Sequence, residues 1–345
     1  MSRTVVVLPG DGIGPEIMAP AVELLAELGD FDIAEYAFGG KALELHGKPM
    51  TDEVLAACRA SDAVLFGAVG GPQWDSDLTL EERPGDAFLR LRRELGVYAN
   101  LRPVRTFASL RHLSPIRPEI LDGTDLLIVR ELNGGIYYGA RGRRPDGSAF
   151  DTAEYSVAEV ERVARVAFRA ARRKVTSVDK ANVLATSRLW RDVVERIHRD
   201  EFPGIELEQL YVDNAALQLI SRPADFDVIV TDNMFGDILS DEAAVLSASI
   251  GLMPSASLSD GGPGLFEPIH GSAPDIAGKN IASPLAMFLT VAAMLRHGFD
   301  MPAEASAIEE AINTALDDGL RTADLGGSHS MTEAWDAVRR ALAAQ

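Results

Sequence analysis

Cysteine occurs once in the 345 residues, at Cys58, so no disulfide can close within the chain and the cytoplasm is the expected compartment. An apolar strand pattern from Thr4 to Leu8 opens the sequence where a secretory leader would place a charged and then apolar segment, so no signal peptide is expected. Long apolar runs are also lacking. The longest, Leu285 to Leu295 with one threonine, is too short to span a bilayer. Positive charge is scarce: 33 basic side chains stand against 52 acidic ones, a net charge of −19. Such a surface repels phosphate backbones and anionic lipid, which argues against nucleic-acid and membrane partners. Lysine is the scarcest cation, confined to Lys41, Lys48, Lys174, Lys180 and Lys279. What remains, 47% apolar and 25% charged, is the make-up of a globular protein with chain enough for two cores.

Through the first hundred residues strand-like and helix-like patterns alternate, with strands expected at Thr4 to Leu8, Asp32 to Phe38 and Ala63 to Phe66 and helices at Glu16 to Leu28 and Thr51 to Ala60. That rhythm implies an α/β fold with a parallel sheet. Further strands read at Asp125 to Arg130, Val175 to Asp179, Glu206 to Val212 and Asp227 to Thr231. Helices read at Val157 to Lys174, Ser187 to Arg199, Asp237 to Ser249, Pro284 to His297, Ala303 to Asp317 and Thr332 to Ala344. The Pro284 helix is apolar on nearly every face and should be buried. Gly134 to Tyr155 is polar and Gly-rich, suited to an extended arm.

Gly10-Asp-Gly-Ile-Gly14 follows the first strand, but Pro15 stands where a Rossmann fingerprint needs its third glycine, so the expected element is a strand-to-helix turn. On a helical wheel of Asp86 to Leu95, Arg92 falls among Phe88, Leu91 and Leu95 and therefore needs an anionic partner, structural or ligand. Arg102 and Arg130 also lie at the ends of elements, and three such guanidiniums suit a clamp for a di- or tricarboxylate. Asp237 and Asp241 are four apart on a helix. They are explained either by N-terminal dipole stabilisation and solvation or by ligation of Mg²⁺ or Mn²⁺, with Asp213 at a strand end as a third ligand. Lys180, after an apolar strand, is a candidate for proton transfer. Tyr137, in the glycine loop beyond Arg130, could donate a proton. In the loop from Glu267 to Lys279, His270 can stack or hydrogen-bond on a base, and Asp275 suits a ribose diol while repelling a 2′-phosphate.

Together these segments resemble the β-decarboxylating dehydrogenases of 2-hydroxy acids, the family of isocitrate and 3-isopropylmalate dehydrogenases. The likeness runs from Leu8-Pro-Gly-Asp-Gly-Ile-Gly-Pro-Glu16 to about Thr322, and Gly67-Ala-Val-Gly-Gly-Pro72, Arg130-Glu-Leu with Gly134-Gly-Ile-Tyr137, Val178-Asp-Lys-Ala-Asn-Val-Leu184, Ser187-Arg-Leu-Trp190 and Gly271-Ser-Ala-Pro-Asp-Ile-Ala-Gly278 favour its isopropylmalate branch. The resemblance implies a two-domain, non-Rossmann α/β fold: residues 1–97 with 250–345 as a discontinuous NAD-binding domain, and 98–249 as a dimerisation domain with an arm at about 134–155. It also implies a homodimer with shared active sites. By the family pattern Arg92, Arg102 and Arg130 hold the malate carboxylates, Phe88 and Leu89 line the alkyl pocket, and Asp213, Asp237 and Asp241 hold the metal, with Asp213 also beside the substrate. Lys180 removes the C2 hydroxyl proton and Tyr137 protonates the enol. His270, Gly271, Ser272, Ala273, Asp275 and Ser283 fall where the family binds NAD.

The expected reaction is then NAD-dependent oxidative decarboxylation of (2R,3S)-3-isopropylmalate to 4-methyl-2-oxopentanoate, in leucine biosynthesis. Two departures qualify it. Pro84-Gly85-Asp86-Ala87-Phe88-Leu89 lacks the glutamate usual after that proline and puts a phenyl ring where a leucine is expected, which keeps D-malate, tartrate or another 3-substituted malate open as substrate. Ser283 replaces the asparagine common before Pro284, which should weaken NAD binding slightly. A Mg²⁺-dependent phosphohydrolase is the reading from a different class, and the sequence contains no P-loop to support it.

Overall fold

A computed structural model of the chain describes residues 3–74 and 83–345. The chain divides into two compact units, one of Met1–Val97, Phe107–Leu113 and Ala248–Gln345 and one of Tyr98–Thr106 and Ser114–Ser247.

In the first unit the strands run in the order Phe31–Glu35, Arg3–Gly10, Ala63–Ala68, Gly264–Pro268 and Pro254–Leu258, parallel except for the last pair. Ala63–Ala68 is buried along its whole length, which is why its sequence is continuously apolar rather than alternating. The helix Leu285–Gly298 packs on the two late strands and buries every side chain from Leu285 to Leu295. Each large apolar side chain so enclosed contributes about 1.5–3 kcal/mol. Helix Gly14–Leu28 starts with Pro15 in its first turn, and helix Pro84–Glu94 turns Phe88, Leu91 and Arg92 inward. The last helix, Met331–Ala343, is opened by a Ser330–Glu333 capping box.

The second unit has strands in the order Ala99–Arg105, Asp125–Glu131, Val228–Thr231, Lys174–Asp179 and Glu206–Tyr211, the first pair antiparallel and the others parallel. Helices Val157–Ala170 and Ala185–Glu201 pack against one another, and Val212–Ser221 and Asn233–Ala243 form a second packed pair. Arg141–Arg143 and Ala149–Asp151 pair as an exposed two-stranded hairpin within the glycine-rich stretch.

Three differences from the sequence reading have local causes. Asp213 does not end a strand: Tyr211 closes it, and Asp213 lies in the first turn of Val212–Ser221. The helix read from Asp237 begins at Asn233, where the Asp232 carboxylate accepts from the amide of Phe235 at 2.8 Å. Asp237 therefore stands in the second turn, too deep for stabilisation by the helix N-terminus. The Val157 helix stops at Ala170 because the amides of Arg172, Arg173 and Lys174 turn onto the carboxylate of Asp227 at 2.7–3.1 Å.

Candidate active site

Strand alternation begins the site in the second unit. Asn100 and Arg102 are two apart on one strand and so share a face, and Asn100 stands directly opposite Arg130 on the antiparallel neighbour. Arg102 and Arg130 both meet the same helix, Asn233–Ala243, and Asn100 reaches it through Arg102. Gly236 permits this approach, because a Cβ there would lie 2.6 Å from Cγ of Arg130. Arg130 is 2% exposed and donates through Nε and Nη2 to Oδ1 of Asn233, at 3.1 and 2.7 Å, and through Nη1 to Asp237. Arg102, equally enclosed, donates to Asn100 at 2.7 Å, to Ser240 at 2.6 Å, to Asp237 at 3.3 Å and to Asp241 at 3.5 Å. Arg102 thus bridges the two carboxylates of one helical stripe and Arg130 adds a second cation to Asp237, which offsets the repulsion that i, i+4 acids otherwise suffer.

Tyr137 completes the cluster, its hydroxyl donating to Oδ2 of Asp237 at 3.0 Å. Burial, reinforced by the Asp237 carboxylate, holds its phenol above the ordinary range. Burial also raises the Asp241 carboxyl, against the pull of Arg102. A proton donor, two anion-binding forks and two carboxylates therefore surround one point. Lys180 and Asp213 form a separate ion pair at 2.5 Å, and the lysine holds the Asp213 carboxyl below its usual range. No three His, Cys, Asp or Glu side chains among the described residues converge closely enough to hold a metal ion, so Asp213 does not join Asp237 and Asp241 within one chain.

In the first unit the inward arginine of the Pro84 helix has the anion it required. Arg92 donates through Nη2 to Oε1 of Glu267 at 2.6 Å, both groups nearly enclosed. The Arg92 guanidinium lies 4.3 Å from the ring centroid of Phe88, and that ring is stacked on Phe66 at 4.2 Å. Phe88 belongs to the aromatic core, while Leu89 is half-buried.

Gly10-Asp-Gly-Ile-Gly14 is a strand-to-helix turn, and its glycines allow a close approach. Gly12, at φ +58°, has no room for a Cβ, which would sit 1.9 Å from the carbonyl oxygen of Ser272. Ile13 donates its amide to that same carbonyl at 2.8 Å. The turn thereby anchors the loop holding His270, Gly271, Ser272, Ala273 and Asp275, in which Ala273 adopts the left-handed φ of +37°. Ser272 spends its hydroxyl on the carbonyl of Gly70 at 2.7 Å. Nε2 of His270 and Oγ of Ser283 are buried and without a hydrogen-bond partner among the described residues, and Asp275 is exposed. Unpaired buried polar atoms are costly unless something fills them, so this loop suits a polar ligand such as a nucleoside.

Sequence reasoning passed over Asn100, Asn233, Ser240 and Glu267. The helical spacing Asn233, Asp237, Asp241 and the strand spacing Asn100, Arg102 contained a signal for the first two. Glu267, distant in sequence from Arg92, had none.

The model of the isocitrate/isopropylmalate dehydrogenase family matches residues 4–338. The chain is 53% identical to a 3-isopropylmalate dehydrogenase of Pseudomonas fluorescens over 94% of its own length and 93% of the relative's. Against the enzyme of that name from Rhodopirellula baltica the identity is 49%, over 100% of this chain and 99% of the other. An isocitrate dehydrogenase structure from Methylococcus capsulatus superposes with a TM-score of 0.89 at 34% identity, covering 99% of both chains. With two arginines and a tyrosine gathered about the aspartates of one helix and residues 4–338 matched, the chain belongs to the isocitrate/isopropylmalate dehydrogenase family.

Proposed function

We propose that the chain catalyses the NAD-dependent oxidative decarboxylation of 3-isopropylmalate to 4-methyl-2-oxopentanoate, a step of leucine biosynthesis. The observation that carries this reading is the convergence of Arg102, Arg130 and Tyr137 on Asp237 and Asp241, in a chain about half identical to proteins named for that activity.

The donor set of Asp237 and Asp241 fits a hard divalent cation, because both are carboxylates on successive turns of one helix. Asp237 and Asp241 would hold Mg²⁺ or Mn²⁺ together with the partner subunit's Asp213. His270, Asp275 and Ser283 would hold the adenosine half of NAD, and the buried His270 Nε2 and Ser283 Oγ, unpaired among the described residues, support that fit. When bound there, NAD⁺ would supply the acceptor for the C2 hydride and the metal the polarisation of the 2-oxo group that would allow the carboxylate on C3 to leave as CO₂.

The chain's own groups do the rest. Arg102 and Arg130, joined by Arg92, grip the malate carboxylates and fix which face of C2 is presented. Lys180, acting in the neighbouring subunit's site, takes the hydroxyl proton; arginine would fail there because it does not release one. Tyr137, kept protonated by its surroundings, delivers a proton to C3 of the enol. Leu89 lies beside the alkyl substituent. Sharing of Lys180 and Asp213 requires a homodimer, and exposed Val183, Leu217 and Ile238 on the second unit support an apolar face for it.

The test is NADH formation by purified protein with 3-isopropylmalate, D-malate, tartrate, isocitrate and homoisocitrate, with metal and either NAD⁺ or NADP⁺. The expected result is preference for 3-isopropylmalate with NAD⁺. Preference for another acid overturns the substrate, and a monomer by light scattering overturns the shared site.

A further inference from the structure

Tyr137 sits on a single 3₁₀ turn, Gly135–Tyr137, preceded by Gly134. A turn this short with two glycines has no intrinsic aim, since glycine imposes no backbone preference. Its direction is imposed from outside. Both oxygens of Glu131, which is fully buried, accept from the amides of Asn133 and Gly134, each at 2.9 Å. Nδ2 of Asn233 donates to the carbonyl of Gly134 at 3.0 Å, and Gly135 donates its amide to the carbonyl of Glu154 at 3.1 Å.

Tyr155 closes this arrangement. Its hydroxyl accepts from the amide of Asn233 at 3.0 Å. It lies so near the turn that a Cβ on Gly134 or on Gly135 would come within 2.8 Å of a ring carbon, and the latter within 2.3 Å of the hydroxyl oxygen. Behind it the ring meets Trp190 edge-on at 5.7 Å, and the indole donates to Ser177 at 3.2 Å. Asn233 is the same residue that holds Arg130. One buried network therefore joins the anion-binding arginine to the loop that carries the acid.

We infer that Tyr155, with Glu131, is a positioning residue that aims Tyr137 at C3 of the substrate. It touches no reacting atom and acts through the Gly134–Gly135 backbone. This rests on the assignment of Tyr137 as the acid that protonates the enol. In that step the Tyr137 O–H bond breaks and its proton goes to one face of C3, where the electron pair of the enolate forms the new C–H bond as the 2-oxo group is regenerated, leaving a tyrosinate that solvent reprotonates.

Tyr155→Phe removes the hydroxyl and keeps the ring. Three quantities are read: kcat and KM for 3-isopropylmalate, the melting temperature, and the face of C3 that takes up deuterium in D₂O, followed by NMR before the free product exchanges. Misaiming should lower kcat about 10-fold, because small displacements of a reacting group are costly, while KM changes by less than about threefold. Deuterium should appear on both faces of C3 with the melting temperature near that of the parent. Parental kcat with single-face labelling overturns the inference, as does a lower kcat with single-face labelling retained. Should Tyr155→Phe fail to fold, Glu131→Gln, which loses one of the two acceptors for the turn, is read by the same criteria. A parent enzyme inactive on 3-isopropylmalate overturns the activity instead. Single-face labelling by Tyr137→Phe overturns the acid, and with it this inference.

Discussion

The charged groups around Asn233–Ala243 satisfy one another, whereas two neutral polar atoms of the segment from His270 to Ser283 stand open. In the first place two buried guanidiniums already lie on two carboxylates. In the second a histidine nitrogen and a serine oxygen are enclosed without partners among the described residues. The difference teaches how one acidic chain can handle both an anionic substrate and a nucleotide. Fixed arginines cannot be left unpaired in a protein interior, and their partners here are the aspartates, so under the proposed function a substrate carboxylate would enter by exchange. A neutral hydrogen-bonding site can wait empty at smaller cost.

The largest effect expected is from chelation: EDTA should abolish NADH formation, and Mn²⁺ should restore it. Activity insensitive to EDTA would mean that Asp237 and Asp241 serve only as arginine partners. Next, Arg130→Ala should lower kcat/KM by about 10³-fold and reduce unfolding free energy by about 3 kcal/mol, because it strips a buried partner from Asp237 and Asn233. Steady-state kinetics and urea titration check both halves. Tyr137→Phe and Lys180→Met should each lower kcat by about 10²-fold with KM nearly unchanged. Near-normal turnover in Lys180→Met would remove its role as base.

On the open side the effects are smaller. His270→Ala should raise KM for NAD⁺ by about 10-fold, equivalent to about 1.4 kcal/mol. Folding stability should fall by only about 1 kcal/mol, since Nε2 has no partner to lose among the described residues and Nδ1 loses one bond, to the carbonyl of Gly271. Smallest is a pH effect. Burial lifts Glu131 to about 7 from an ordinary 4.5, so between those values the native state holds more protons than the unfolded one, and stability from this group falls as pH rises. Glu131→Gln should flatten that slope in denaturant titrations across the same window; an unchanged slope would show that Glu131 is ionised throughout.

Much of the fold was legible because its signals are local. The helix from Gly14 and the parallel strands from Thr4, Ala63 and Asp125 were readable from apolar patterning alone. Pro254–Leu258 and Gly264–Pro268 were not, because their serines, glycines and terminal prolines read as loop. At the site the helical wheel showed that Arg92 faces inward and needs an anion. It could not show that the anion is Glu267, since the pair is joined only by folding.

By itself the sequence determined the α/β class, the inward arginine, the Asp237 and Asp241 stripe and the exclusion of a Rossmann turn, all consequences of periodicity and of where glycine and proline stand. The tertiary structure alone decided that Arg102 and Arg130 converge on that stripe, that the Phe88 ring belongs to the core, and that Glu131 and Tyr155 enclose the turn carrying Tyr137. Register and close packing make those choices, and they act between residues whose separation along the chain leaves no local trace.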